Sequence, residues 1–196
     1  MELFKKKIIL ASQSPRRSQL LRSAGFNFEV KLSDTEVEET YPAGLPVEEV
    51  AAFLAEKKAA AAFHLIENDE ILLTADSIVH LEDTIFGKPR DYDDAFQILS
   101  RLSGRAHEVI TGVCLWSKKK KVTFSGYSRV FFEQLSPKEI DYYIKNYQPW
   151  DKAGAYAIQE WIGLCKVSKI EGTYTNIMGL PVELVYRHLL RDFAEG

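Results

Sequence analysis

The sequence predicts a mixed α/β domain built on one large sheet. Three observations carry this. A short apolar run, Lys7 to Ala11, passes through a polar turn into a helical pattern that opens at Pro15. Strand-like and helix-like stretches then alternate as far as Leu102. Two alternating stretches, 107–116 and 122–134, flank Ser117 and four lysines, Lys118 to Lys121, as a long hairpin with a basic turn would.

Taken in order, the first strand is expected at 7–11. Ser12-Gln13-Ser14 is the turn, Ser14 the expected N-cap, and Pro15 suits the first helical position. Leu20, Leu21 and Ala24 form the apolar face of a helix over 15–24, which Gly25 ends as a left-handed cap. A strand over 26–32 leads to an acidic loop, 33–45. An alanine-rich helix follows over 47–64, with Pro46 near its start. Residues 70–80 form a strongly apolar strand, 81–88 a turn and short return, and 91–102 a helix. Ser136-Pro137 opens a helix to about Tyr147, with Glu139 placed for a capping box. The last third is expected to hold short strands around 156–170, a glycine-rich turn, and a helix from Pro181. No repeat or low-complexity linker interrupts the chain, so 1–196 is read as a single domain.

At 196 residues, 46% hydrophobic and 27% charged, the chain has material for a substantial core. A net charge of −3 argues against a nucleic-acid or membrane-surface binder, whose footprint is basic, so any phosphate chemistry must be local. The four lysines of the hairpin read as a solvated loop tip. Cys114 and Cys165 lie in apolar surroundings without C-x-x-C spacing and are expected as reduced core residues. His64, His80, His107 and His188 lack metal-ligand spacing, which argues against zinc. The N-terminal apolar run is too short for a signal peptide or a membrane span, so a cytoplasmic protein is expected.

Two stretches carry most of the chemistry. Arg16 and Arg17 sit in the first turn of the 15–24 helix, where the macrodipole disfavours positive charge. A bound anion would resolve that conflict, because free amides and guanidinium groups would converge on it. Two solvated arginines are the other reading. In Ile71 to Val79 a carboxylate, Asp76, interrupts a β-run, where burial is costly unless the group is paired, hydrogen-bonded or metal-bound. An aspartate at a strand end bonding nearby amides is the alternative. The loop with Asp34, Glu36, Glu38 and Glu39 is either a solvated connection or the source of a second oxygen ligand for Mg²⁺. Lys58 either reaches the same pocket from its helix or is simply solvated. Gly87-Lys88-Pro89 either fixes a functional lysine after the Asp76 hairpin or is an ordinary turn, and Gln159 offers an amide able to read a base edge. The 172–181 segment is assigned to packing. Basic and acidic groups together suit a polyphosphate substrate with a divalent ion, the carboxylate preparing a water for in-line attack. No Walker A loop, G-x-S-x-G elbow or H-E-x-x-H is present.

As a set, these segments resemble the Maf family of nucleoside triphosphate pyrophosphatases. The resemblance rests on LASQSPRRSQLL at 10–21, LA-x-x-KA at 54–59, TADSIV at 74–79 and GKPRDYDDA at 87–95. It continues through LSGRAHEVITGV at 102–113, DKAGAYAIQ at 151–159 and GLP at 179–181. It implies an elongated mixed sheet with helices around a central cleft, similar to inosine triphosphate pyrophosphatases, and often a homodimer. It implies cleavage between the α- and β-phosphates of a nucleoside triphosphate, assisted by Mg²⁺ or Mn²⁺. Asp76 matches the family's catalytic acidic residue, taken as the general base. Glu39 matches a second functional carboxylate and, with Asp76, a metal ligand. Ser12, Arg16, Lys58 and Lys88 match polar and phosphate-facing positions. The paired arginines and AYAIQ resemble the branch acting on dTTP and UTP, which attributes base selection to positions matching Arg17, Ser77 and Gln159. Ser77 departs from the usual Thr and so loses a methyl contact, and Glu82-Asp83 replaces a common turn glycine. The alternatives are the branch acting on 7-methylguanosine triphosphate, and a non-catalytic nucleotide sensor in division control, suggested by the family's link to septum formation.

Overall fold

A computed structural model describes residues 4–35 and 37–194. Seven strands pair in the order β2–β1–β3–β5–β6–β7, with β4 hydrogen-bonded to β3, so the sheet is mixed as expected. The chain forms two compact units. The first holds the described residues up to Asp76, Thr111–Gly126, and those from Gly179 on; the second holds Ser77–Ile110 and Tyr127–Met178.

In the first unit, β1 (Ile8–Leu10) runs parallel to both β2 (Phe28–Val30) and the start of β3 (Ile71–Leu81). Parallel strands buried on both faces read as continuous apolar runs, which is why IIL and ILL show no alternation. Ile8, Leu10, Ile71, Leu73, Val113 and Leu115 face one core, with Leu21 from α1 (Pro15–Ser23) and Val185 from α7 (Val182–His188). Ile9, Leu72 and Cys114 face the other, against Ala55, Ala59 and Ala62 of α2 (Val47–Ala62). Alanines at this spacing let the helix lie close to the strands. On β5 (Ala106–Trp116) the approach is limiting: a Cβ on Gly112 would stand 2.2 Å from Ala51 C and Ala52 N.

The second unit has one core. It gathers Val79 and Leu81 of β3, Phe86 of β4 (Thr84–Phe86), the inner face of α3 (Tyr92–Leu102), Val130 and Phe132 of β6 (Lys121–Phe132), and Ile140, Tyr143 and Ile144 of α4 (Pro137–Tyr147). Alpha4 carries the expected capping box between Ser136 and Glu139.

Several expectations need correction. Ser14 occupies the N-cap position of α1, but its side chain makes no cap bond. Its backbone N–H instead donates to Ser12 Oγ at 3.2 Å. The strands expected around 156–170 reduce to one, β7 (Val167–Glu171), preceded by a short 3₁₀ turn (Ala153–Ala155) and α5 (Trp161–Cys165). The apolar run Ala155 to Ile158 forms no strand, and a side chain supplies a partner here: Ala157 N–H donates to the Tyr143 hydroxyl at 3.1 Å. The glycine-rich segment contains α6 (Tyr174–Ile177), and its packing role is visible in Asn176, which donates to Val109 O and Ser128 Oγ at 3.0 Å each. Both cysteines are free, but Cys165 is exposed at the end of α5 and only Cys114 is a core residue. The hairpin lysines are all exposed, as a loop tip requires, and two of them also form ion pairs: Lys120 meets Asp192 at 2.8 Å, and Lys121 pairs with Glu56. Glu36 of the acidic loop lies outside the described residues.

Candidate active site

Alternation along β3 decides which side chain goes where. Leu73 and Ala75 join the core shared with α1 and α7; Leu72, Thr74 and Asp76 point to the α2 face. Leu72 packs on the alanines. Thr74, fully buried, donates its hydroxyl to Ala55 O at 2.7 Å and so ties α2 to the strand. Asp76 comes next on that face, where the apolar cover ends, and its Oδ1 accepts from the Lys58 ammonium. Asp76 is 8% exposed, so its charge is stabilised by this ion pair inside the protein.

The same ammonium donates to Glu39 Oε1 at 2.8 Å, so Lys58 bridges the two carboxylates that the resemblance singles out. Arg17 completes the group. Its Nη1 donates to Ser12 Oγ at 3.2 Å and its Nε to Gly179 O at 2.8 Å. Burial pushes the Arg17 pKa down, the Asp76 charge pushes it back up, Arg16 lowers it and Glu39 raises it. The guanidinium stays charged throughout the working pH range. The reading of both arginines as solvated surface groups is therefore wrong for Arg17; Arg16 is half-buried beside it. The first turn of α1 holds no acidic residue, so its amides and two arginines form a positive end.

Ser12, Arg17, Lys58, Glu39 and Asp76 thus converge within the first unit. Ser77, Lys88 and Gln159 belong to the second. There Ser77 follows Asp76 on β3 and is half-buried, while Lys88 is exposed beyond β4. The backbone before Lys88 is fixed, since Gly87 O accepts from Gly154 N at 3.0 Å. Gln159 Oε1 is buried with no hydrogen-bond partner in the described residues, an unusual state for a buried acceptor.

The segment that carries Gln159 is held by groups the sequence reading did not single out. The Tyr143 hydroxyl donates to Glu160 while accepting from Ala157 N–H. Tyr156 OH and His107 Nε2 share a 2.7 Å hydrogen bond, both rings packed edge-on against Phe132. Burial lowers the His107 pKa to about 4, so the ring is neutral, and it pushes the Tyr156 pKa far up. Ala155 takes a left-handed φ of 59°, a strained state for a residue with a Cβ. A Cβ on Gly163 would lie 1.9 Å from Ile158 O, so α5 is seated directly on this segment. His107 was legible only as a histidine alternating in step with the buried Val109.

Among the described residues, no three His, Cys, Asp or Glu side chains cluster as a ready-made metal centre. The donor set nevertheless fits Mg²⁺ or Mn²⁺. Two carboxylate oxygens already share one cation position, and magnesium typically takes one or two carboxylates plus waters and substrate phosphates.

A family model described as Maf-like protein matches residues 7–192. The chain belongs to the Maf family. A relative from Phocaeicola vulgatus, named dTTP/UTP pyrophosphatase, is 51% identical over 187 residues, covering 95% of this chain and 96% of that one. Relatives of the same name from Porphyromonas gingivalis and Flavobacterium psychrophilum are each 47% identical, over 99% and 94% of this chain and 98% and 93% of their own. A solved dITP/XTP pyrophosphatase from Mycobacterium abscessus aligns with 64% of this chain and 74% of its own, at 16% identity and a TM-score of 0.37. The Maf segments quoted above supply every residue of the first-unit constellation except Glu39. No helix among the described residues is long and apolar enough to cross a membrane.

Proposed function

We propose that this Maf protein is a dTTP/UTP pyrophosphatase that hydrolyses the nucleotide to its monophosphate and pyrophosphate. The observation that carries the reading is Asp76: a nearly buried carboxylate in the middle of β3, not at a strand end, met by Lys58 and within electrostatic reach of Arg17. The relatives' shared name supplies the substrate class.

Asp76 accepts a proton from water, and the resulting hydroxide attacks the α-phosphorus. The bond from the α-phosphorus to the bridging oxygen breaks, and pyrophosphate leaves with that electron pair. Lys58, Arg16 and Arg17 offset the negative charge of the phosphate tail, and Ser12 holds the Arg17 fork in place. A divalent cation held by Asp76 and Glu39 would supply Lewis-acid polarisation of the phosphoryl oxygens. Lys88 contributes a further phosphate-facing charge in this reading, and Ser77 and Gln159 select the base with Arg17. Metal dependence, homodimerisation and a cytoplasmic location belong to the same proposal.

Purified protein with Mg²⁺ and a nucleotide panel should convert dTTP and UTP to monophosphate and pyrophosphate, with ¹⁸O from water in the monophosphate. Orthophosphate as first product would overturn the proposed bond. Removing a general base typically costs about 10²–10⁴-fold, so Asp76→Asn should fold, bind nucleotide and lose turnover on that scale. Unchanged turnover would strip Asp76 of its role. A nucleotide sensor would bind without turnover even in the native protein.

A further inference from the structure

We propose that Lys58 is a resident cation: its ammonium holds the position between Glu39 and Asp76 in the nucleotide-free protein and leaves it in exchange for a divalent ion, turning to the phosphates. The inference rests on the reading of these carboxylates as the acidic pair of a pyrophosphatase. One ammonium touches both Glu39 Oε1 and Asp76 Oδ1, the two groups expected to bind metal. An ammonium and a divalent ion cannot share that point, because cations this close repel strongly at the low effective dielectric of a part-buried site.

The two basic groups nearby are built differently. Arg17 is anchored by Ser12 and by Gly179 O and is partly buried, so its fork is fixed in place. Lys58 extends a flexible four-carbon stem from a helix that Thr74 and the Gly112 contact hold against the sheet. Its root is fixed while its tip can swing. The lysine has a second consequence in the nucleotide-free protein. It offsets one of the pair's two negative charges and occupies the point between them, so a free divalent ion gains less there, and binding becomes more favourable when substrate phosphates offer Lys58 another partner. Metal and nucleotide would then bind with positive coupling.

The test titrates the nucleotide-free protein with Mn²⁺ and reads free Mn²⁺ by electron paramagnetic resonance. Lys58→Met and Lys58→Gln both remove the ammonium, and two variants guard against the failure of one to fold. Each should bind Mn²⁺ at least about tenfold more tightly than the native protein, since the competing charge is gone. Lys58→Arg should stay weak, and adding Glu39→Gln to Lys58→Met should abolish the gain. Equal or weaker Mn²⁺ binding by both neutral variants would overturn the exchange. A parallel arm uses a non-hydrolysable α,β-imido analogue of dUTP. If Asp76→Asn loses Mn²⁺ affinity there while the neutral Lys58 variants show no gain in the nucleotide-free titration, the exchange alone is wrong. Unchanged affinity in Asp76→Asn would instead sink the assignment of the carboxylates to the metal.

Discussion

The two units solve the same packing problem and put it to different use. Each seats a helix directly on backbone through a glycine that leaves no room for a Cβ: Gly112 under Ala51 and Ala52 of α2, Gly163 against Ile158 O. In the first unit the seated helix delivers a charge, because α2 carries Lys58 to Asp76 and Glu39. In the second it braces a neutral segment, Tyr156 to Gln159, in which the Ala157 amide meets the Tyr143 hydroxyl and the Tyr156 hydroxyl meets a neutral histidine, while Gln159 Oε1 has no partner among the described residues. Charge placement and shape are thus handled by separate parts of the chain. Substitutions that move Asp76, Lys58 or Glu39 should change the rate for every nucleotide alike, and those in the Tyr156 to Gln159 segment should change which nucleotide is preferred.

Gly112→Ala tests this most severely. The new methyl meets backbone at 2.2 Å, so α2 must shift away from the sheet. Overpacking of this kind typically costs about 1–3 kcal/mol of stability. A displacement near 1 Å of a group placed for catalysis can cost about 100-fold in rate. The expected result is a melting temperature lower by several degrees and a kcat down by roughly that factor for dTTP and UTP together. A stable variant with native kcat would show that the height of α2 does not control Lys58.

Gly163→Ala should give a smaller and differently shaped effect. Its Cβ would press on Ile158 O, next to Gln159. A several-fold loss of discrimination between UTP and non-cognate triphosphates is expected, carried by KM, with kcat for the best substrate within about threefold of native. A uniform fall in kcat across the panel would mean that the units do not divide the work this way.

Much of the first unit was legible because its signals are local. A buried parallel strand reads as IIL or ILL, Pro15 opens a helix, and a carboxylate inside TADSIV is conspicuous in an apolar run. Arg17 was legible by contradiction, as a positive charge where a helix start disfavours it. What escaped was information that exists only once strands and helices are brought together. Nothing near Gly112 signals that α2 rests on it, and Thr74 reads as an ordinary β residue. The second unit hid more. The apolar run Ala155 to Ile158 reads as a strand, yet one of its amides is satisfied by Tyr143 of α4. Sequence periodicity counts side-chain burial and cannot show that a side chain has replaced a neighbouring strand as the hydrogen-bond partner.

His107 extends the contrast to pH. Its ring is buried, and its pKa is lowered from 6.5 to about 4, with burial as the cause. A group whose native pKa is depressed binds fewer protons folded than unfolded through that interval. Its favourable contribution is intact above pH 6.5 and is lost as pH falls toward 4. Within that window the slope approaches about 1.4 kcal/mol per pH unit. Going from pH 7 to 5.5 should therefore cost about 1 kcal/mol, or roughly 2–4 °C in melting temperature for a chain of this size. His107→Gln can still pair with the Tyr156 hydroxyl but has nothing to titrate, so it should lower stability at pH 7 and flatten the drop to pH 5.5. An unchanged drop in that variant would place the acid sensitivity elsewhere. The flattening should be accompanied by altered nucleotide preference and little change in kcat for the best substrate, because the histidine braces, through Tyr156, the segment leading to Gln159.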